Sequence, residues 1–155
     1  MTCGEGERRL HRGARPAGLG RQRDHLGIFN IPETRLDILG DVCGLDVVEL
    51  GYGTACFSAW LARRGARPVG VDLTSAQLAT ARRCQERFGL FFPLIEADAG
   101  HIPFAGGRFD LVISECGASL WCDPARWIPE AARILRPGGW SSLPPPPWSP
   151  CASQP

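Results

Sequence analysis

Short apolar runs alternate with segments of helical periodicity, and this alternation limits the folds open to the chain. Residues 46–50 form an apolar run that ends just before a glycine, which is typical of a buried strand. Apolar residues at helical spacing follow over residues 54–64, and Gly65 then provides a C-terminal helix signal. A second strand is predicted at residues 68–71.

The same order repeats further along the chain. A helix that Thr74 or Ser75 can cap is predicted to end before Gly89. Strands are predicted at residues 91–97 and 109–114. A last helix is predicted at 124–135, and it ends at an Arg-Pro-Gly-Gly sequence. Its inward face is expected to hold Trp127, Ile128, Ala131, Ile134 and Leu135.

This order of elements predicts right-handed crossovers between parallel strands. We therefore expect an α/β, Rossmann-like fold, a parallel sheet with helices on both faces.

Both ends of the chain differ from this middle region. Residues 1–25 carry six arginines among Gly and Pro with little apolar periodicity, and residues 141–155 are rich in proline. Both segments are predicted to be disordered tails, because neither can bury enough surface to offset its ordering entropy. One domain is expected between them, at residues 26–140. A nucleic-acid-binding role for the basic tail is disfavoured, because no aromatic residues are interleaved with its arginines.

Composition excludes several classes of function. A net charge of +1 over 155 residues gives no general reason to expect a nucleic-acid or anionic membrane partner. No run approaches the ~18 apolar residues of a membrane span, and the Arg-rich start does not resemble a secretory signal. The seven cysteines include no C-x-x-C pair, so we expect no metal site and reduced thiols in a cytoplasmic protein.

The candidate site lies where the first two strands end. Gly51 and Gly53 follow the first strand and leave room for a ligand near the backbone. Asp72 ends the second strand, 19 residues after Gly53. A carboxylate about 20 residues past such a glycine turn is placed to accept hydrogen bonds from ribose hydroxyls. Together these features indicate a nucleoside ligand.

Two residues help to distinguish between nucleosides. A dinucleotide fingerprint requires a third glycine at position 56, where this chain has Cys56. Glu49, just before the glycines, would repel a pyrophosphate but suits a positively charged ligand, such as an amino group near a sulfonium. An NAD-dependent oxidoreductase is therefore the less favoured interpretation.

The motifs, taken in order, resemble a class I S-adenosylmethionine-dependent methyltransferase of the type 11 group, over about residues 28–139. They are Val48-Glu49-Leu50-Gly51-Tyr52-Gly53-Thr54, Val69-Gly-Val-Asp72, Ala97-Asp98-Ala99, Ile102-Pro103-Phe104, Phe109-Asp110-Leu111-Val112 and Arg133-Ile-Leu-Arg-Pro-Gly-Gly139.

This resemblance implies that S-adenosylmethionine is the cofactor. It places Glu49, Gly51 and Gly53 beside the methionine moiety and Asp72 at the ribose. Asp98 with Ala99 would face the adenine. Leu73 and Ser114 are also assigned to the cofactor site.

The chain departs from the family pattern in its glycine turn and at its end. Tyr52 stands where the family has a small residue or Cys, and Ala55 stands where it has a third glycine. The tyrosine is expected either to crowd the methionine tail or to turn outward. After Gly139 the family continues with further strands, whereas this chain soon reaches prolines. We therefore expect the last strands to be missing, leaving strand 109–114 as a bare edge open to self-association.

The residues outside the cofactor motifs are less informative. Glu115 and His101 lie near strand ends and are weak candidates for a general base. Asp110 is predicted to be structural. Trp121 and Trp127 are expected to pack in a lid and a helix core rather than to form a cage around a substrate.

The function expected from the sequence is methyl transfer to a small-molecule acceptor, with weak or no activity of this chain alone. A non-catalytic nucleoside-binding remnant of such an enzyme is the alternative.

Overall fold

The computed structural model describes residues 25–26, 31–33 and 38–142. Most of both predicted tails therefore lies outside the described residues. A short antiparallel pair precedes the main sheet and joins β1 (His25–Leu26) to β2 (Ile31–Pro32). The sequence pattern did not indicate this pair.

Five parallel strands in the order β5-β4-β3-β6-β7 form the main sheet. The strands are β3 (Asp46–Leu50), β4 (Arg67–Asp72), β5 (Leu94–Glu96), β6 (Phe109–Ile113) and β7 (Leu135–Ser142). The helices are α1 (Cys56–Arg63), α2 (Ser75–Phe88), α3 (Ala118–Trp121) and α4 (Pro124–Ile134). The predicted Rossmann-like α/β fold is confirmed.

Alternate residues of β3 face opposite sides of the sheet, as the twofold period of a strand requires. Val48 packs in one cluster with Trp127 and Ile134 of α4. Val47 packs in another with Leu61 of α1. A third cluster joins Tyr52 to the inward side of α2. Helices therefore cover both faces, and the ends of β3 lie between them.

The structure differs from the predicted elements in three places. Strand β5 is shorter than expected and begins after Pro93, which has no N–H to donate to a strand ladder. Ile128 is 46% exposed rather than inward, whereas Trp127, Ala131 and Ile134 are buried as predicted. The short helix α3 was not expected.

The expectation of a bare β6 edge is wrong. Strand β7 begins directly after α4 and pairs in parallel with β6, with Leu111 opposite Trp140 and Ile113 opposite Ser142. The prolines begin only at position 144, so Trp140, Ser141 and Ser142 keep the N–H groups that a ladder needs. Ser141 and Ser142, which the sequence analysis placed in the tail, belong to this strand.

A network of charged side chains joins the N-terminal ends of four strands, on the edge of the sheet opposite the strands' carboxyl ends. The Asp46 carboxylate of β3 accepts hydrogen bonds at 2.8 Å from Arg67, Arg108 and Arg136. Asp110 accepts the backbone N–H of Asp46 at 2.9 Å and pairs with Arg136 at 2.6 Å. These arginines hold the pKa values of both carboxyls below their ordinary values. Asp110 is therefore structural, as predicted.

Candidate functional site

The glycine turn after β3 lies directly beside the end of β4. The backbone N–H of Gly51 donates to the carbonyl oxygen of Val71 at 2.7 Å. The N–H of Gly53 donates to Oδ2 of Asp72 at 3.0 Å, and the other oxygen of Asp72 accepts the N–H of Thr74 at 2.8 Å. The carboxylate thus holds the glycine turn and also fixes the backbone of Thr74, the residue just before α2.

Gly51 can only be glycine in this arrangement. Its φ of +77° is in the left-handed region, and a Cβ there would lie 2.5 Å from the Cα of Gly117, in the loop after β6. A Cβ on Gly117 would in turn overlap the carbonyl oxygen of Gly51. The loops after β3 and β6 therefore touch backbone to backbone.

Gly53 has the opposite surroundings. Its φ is +53°, and a Cβ there would meet nothing within 4 Å. Helix α1 begins three residues later, at Cys56. The site thus offers open space beside a turn whose backbone can be approached closely by a ligand.

Glu49 is a buried carboxylate immediately behind this turn. It is 3% exposed, and its Oε2 accepts the N–H of Ser58 at 2.9 Å and a short hydrogen bond from the Ser58 hydroxyl. Burial raises the pKa of Glu49 from 4.5 to about 7, and the negative charges of Glu115 and Asp72 add to the rise. A cationic group bound here would stabilise the ionised carboxylate.

Asp98 follows β5 and organises the next loop. Its Oδ1 accepts the N–H of Gly100 at 2.8 Å, and its Oδ2 pairs with Arg126 of α4 at 3.0 Å. Ala99 beside it is 6% exposed, whereas Leu73, after the end of β4, is 68% exposed.

Ser114 ties the end of β6 to the end of β3. Its hydroxyl donates to the carbonyl oxygen of Leu50 at 2.9 Å and accepts the N–H of Ser119 at 3.0 Å. The side chain is fully buried. It therefore fixes the distance between the two central strands at the site.

The two candidate bases have different surroundings. Glu115 is half-buried in the loop after β6, and its charge acts on both Glu49 and the thiol of Cys116. His101 is exposed, and its backbone N–H donates to the carbonyl oxygen of Asp98 at 2.9 Å. Glu115 lies closer to the buried acid of the site.

Neither orientation expected for Tyr52 occurs. The side chain is 4% exposed and packs in the cluster between β4 and α2, with Ala55, Leu78 and Ala81. Ala55, in place of the third glycine, adopts a left-handed φ of +59° at the N-terminus of α1. The backbone of the turn thus keeps a glycine-like conformation at a residue that carries a methyl group.

Sequence reasoning missed three residues that shape the site, namely Ser58, Gly117 and Arg126. Ser58 and Leu61 are the buried residues of α1, so a small polar residue on an inward helical face was a detectable signal. Gly117 and Arg126 gave no comparable signal, because their contacts with Gly51 and Asp98 cross 66 and 28 positions of sequence.

Two features are absent from the described part of the chain. It contains no cluster of three or more His, Cys, Asp or Glu side chains able to hold a metal ion. Nor does any helix in it have the length and apolar character needed to cross a membrane.

Comparison with known proteins identifies relatives of this site and fold. The model of a methyltransferase domain family matches residues 48–143. Demethylmenaquinone methyltransferase from Thermus thermophilus is 38% identical over 106 residues, which are 65% of this chain and 48% of that protein. Fatty-acid O-methyltransferase from Mycolicibacterium smegmatis is 36% identical over 102 residues, which are 64% of this chain and 36% of that protein.

A solved structure agrees with these relatives. The crystal structure of a methyltransferase from Bacillus halodurans superposes with a TM-score of 0.65 at 27% identity, covering 71% of this chain and 48% of that one. This chain spans about half or less of the length of the relatives described. The family match covers more than half of the chain and includes the glycine turn, the acids Glu49 and Asp72, and β7. The chain therefore belongs to the class I S-adenosylmethionine-dependent methyltransferases.

Proposed function

We propose that this protein binds S-adenosylmethionine at the carboxyl ends of β3 to β6 and transfers its methyl group to a small molecule. The observation that carries the proposal is the hydrogen bond from the Gly53 amide to Asp72, with buried Glu49 behind the same turn. Ligands of parallel α/β sheets bind at this edge. When bound, the cofactor supplies a methyl group attached to a sulfonium sulfur. That sulfur is a good leaving group, because it departs as a neutral thioether.

The residues present fit such a cofactor. Open space in front of Gly53 can receive the methionine part, and the carboxylate of Glu49 suits its positive charge. Gly51 borders the same part. We assign Asp72 to the ribose hydroxyls, because its half-buried carboxylate lies at a strand end within the site.

The adenine end is assigned to the loop after β5. Asp98 can accept a hydrogen bond from an exocyclic amino group, and Ala99 provides a small buried wall. Exposed Leu73 offers an apolar surface beside Asp72. Ser114 acts indirectly, by holding the ends of β3 and β6 together.

For the transfer step, we assign Glu115 as the group that accepts the acceptor's proton. Its position after β6, near Glu49, favours it over exposed His101. The chain otherwise contributes alignment and exclusion of water, and such positioning can lower a barrier by about 7–11 kcal/mol.

The acceptor is proposed to be a small molecule rather than a nucleic acid or a membrane. The names of the two relatives specify demethylmenaquinone and a fatty acid as substrates of those proteins. A net charge of +1 gives no general attraction to a polyanion.

Two further proposals concern the state of the protein. Self-association through a strand edge of the main sheet would use β5 or β7, the two outer strands, because β7 covers β6. A cytoplasmic location is supported by the free thiols of Cys56, Cys84, Cys116 and Cys122. Size-exclusion chromatography and cell fractionation test these two proposals.

Isothermal titration of the purified chain with S-adenosylmethionine tests the proposed function, with NAD as the competing cofactor. We expect S-adenosylmethionine to bind and NAD not to bind. A panel of quinol, fatty-acid and amine acceptors then tests transfer, with Glu115→Gln and His101→Gln compared. Binding of NAD alone would overturn the proposal. Binding of S-adenosylmethionine with no transfer to any acceptor would favour the non-catalytic alternative.

A further inference from the structure

We propose that Tyr52 is a positioning residue of the cofactor site, whose buried ring holds the glycine turn at residues 51–53 against β4. The inference rests on the proposed function, because the ligand of the turn is taken to be S-adenosylmethionine. Tyr52 itself does not reach the open side of the turn, since its side chain is 4% exposed and faces the core.

The Tyr52 ring packs against Gly70 of β4, a residue that has no side chain. A Cβ on Gly70, in the middle of β4, would be 2.7 Å from Cδ1 and 3.0 Å from Cγ of Tyr52. Gly70 is the register partner of Glu49 on β3. The ring of Tyr52 therefore occupies the space beside the strand pair that carries Glu49 and Asp72.

The ring adds a third attachment to a turn that already has two. The amides of Gly51 and Gly53 bond to Val71 and Asp72 at the end of β4. The carbonyl oxygen of Tyr52 accepts the N–H of Ala55 at 2.7 Å, which closes the turn before α1. A displaced ring would therefore move the Gly53 amide away from Asp72.

The aromatic ring supplies this attachment, and the hydroxyl does not. The buried oxygen of Tyr52 has no hydrogen-bond partner among the described residues. Desolvation by burial, together with the nearby charge of Asp72, raises the pKa of Tyr52 to about 12. An unpaired buried hydroxyl costs stability, so phenylalanine should serve at this position as well as tyrosine or better.

Three variants of the full 155-residue chain test the proposal by titration with S-adenosylmethionine and by hydrogen exchange of the Gly53 amide. Tyr52→Phe should bind with unchanged affinity and keep Gly53 protected. Tyr52→Ala should bind about tenfold more weakly, which corresponds to about 1.4 kcal/mol, with faster Gly53 exchange. Tyr52→Leu gives the same test with less loss of volume, should the alanine variant not fold.

Gly70→Ala provides an independent test from the other side of the contact. Its methyl group should displace the ring, so we expect weaker cofactor binding and faster Gly53 exchange from a change in the middle of β4. Combined with Tyr52→Leu or Tyr52→Ala, the same change should have little further effect on Gly53 exchange, because no ring remains to be moved. The other close contact of the new methyl group, Cδ2 of Leu94 at 3.0 Å, lies on β5 rather than on the turn. Additive effects of the two changes would contradict a shared contact.

Ile134→Ala is the matched control for general loss of stability. Ile134 is fully buried at the end of α4, next to the start of β7 and away from the turn. It should lower the melting temperature while leaving cofactor affinity and Gly53 exchange unchanged, measured well below that temperature. Normal Gly53 exchange in the folded Tyr52→Ala or Tyr52→Leu variant would overturn the positioning role. Failure of the wild-type chain to bind S-adenosylmethionine would instead overturn the proposed function.

Discussion

At the scale of single residues, Asp72 carries both a structural and a proposed ligand role. Its two oxygens accept amides from Gly53 and Thr74. A ribose bound at the same carboxylate would add hydrogen bonds to a charged acceptor, and such bonds are strong. Removing the carboxylate removes both roles, so cofactor affinity has to be measured on a variant shown to be folded.

Asp72→Ala should weaken S-adenosylmethionine binding by about 1.5–3 kcal/mol, the contribution of hydrogen bonds to a charged group. Asp41→Ala is the matched control, because Asp41 also accepts an amide two residues on, from Cys43 at 2.9 Å, but before β3 begins. Titration calorimetry should show unchanged affinity in the control. Equal affinity of a folded Asp72→Ala variant and the wild type would contradict the ribose assignment.

Glu49 gives a prediction about pH. Because its pKa is raised from 4.5 to about 7 in the folded chain, the folded state holds a proton that the unfolded state releases. The associated stability is fully present below pH 4.5 and is lost as the pH rises to about 7. Glu49→Gln should remove this dependence of stability on pH. In urea denaturation, the free energy of unfolding of the variant should therefore rise relative to that of the wild type between pH 5 and pH 7.

The same group should make cofactor binding depend on pH. A cationic ligand favours ionised Glu49, so the affinity of the wild type should rise up to about pH 7 and then level off. In Glu49→Gln the affinity should be weaker and flat across this range. A wild-type affinity that does not change with pH would argue against contact between Glu49 and the positive charge.

At the scale of secondary-structure elements, the two ends of the sheet have different tasks. The starts of β3, β4, β6 and β7 are joined through Asp46 and its three arginines. The opposite ends carry the glycine turn, Asp72 and Ser114. Stability and binding should therefore respond to different substitutions.

Asp46→Asn should lower the free energy of unfolding by about 2 kcal/mol at neutral pH, because the buried acceptor loses the negative charge that it presents to three arginines. The pKa of Asp46 is lowered in the folded chain, so its contribution is present above its ordinary pKa and is lost in acid. The difference between wild type and variant should accordingly shrink at low pH in urea denaturation. Cofactor affinity measured at pH 7 should stay the same.

Strand β7 can be tested by shortening the chain. Ending it after residue 139 removes the pairing of Trp140, Ser141 and Ser142 with β6, whereas ending it after residue 142 keeps that pairing. The shorter version should melt at lower temperature and associate through the exposed β6 edge, as size exclusion would show. Identical melting temperatures and elution of the two versions would mean that these three pairs contribute little to stability or to protection of the β6 edge.

At the scale of the whole molecule, local patterns predicted the sheet core and the residues around the turn. Apolar runs and glycine signals located β3, β4, β6 and three helices, because these features are written in neighbouring residues. Strand β7 was missed because the nearby prolines suggested a disordered tail. The pairing of Trp140, Ser141 and Ser142 with β6 is a long-range contact that local sequence does not indicate. The inward position of Tyr52 was missed because it depends on Gly70, 18 positions away.

The backbone contact between Gly51 and Gly117, together with the hydrogen bond from Ser114 to Leu50, sets the spacing between the ends of β3 and β6. The side chains of Leu73, Glu115 and Trp121 take no part in the contact between Gly51 and Gly117, so they can change identity without altering that spacing. Under the proposed function, the main chain beside the cofactor would therefore keep one geometry while the side chains that meet the acceptor vary.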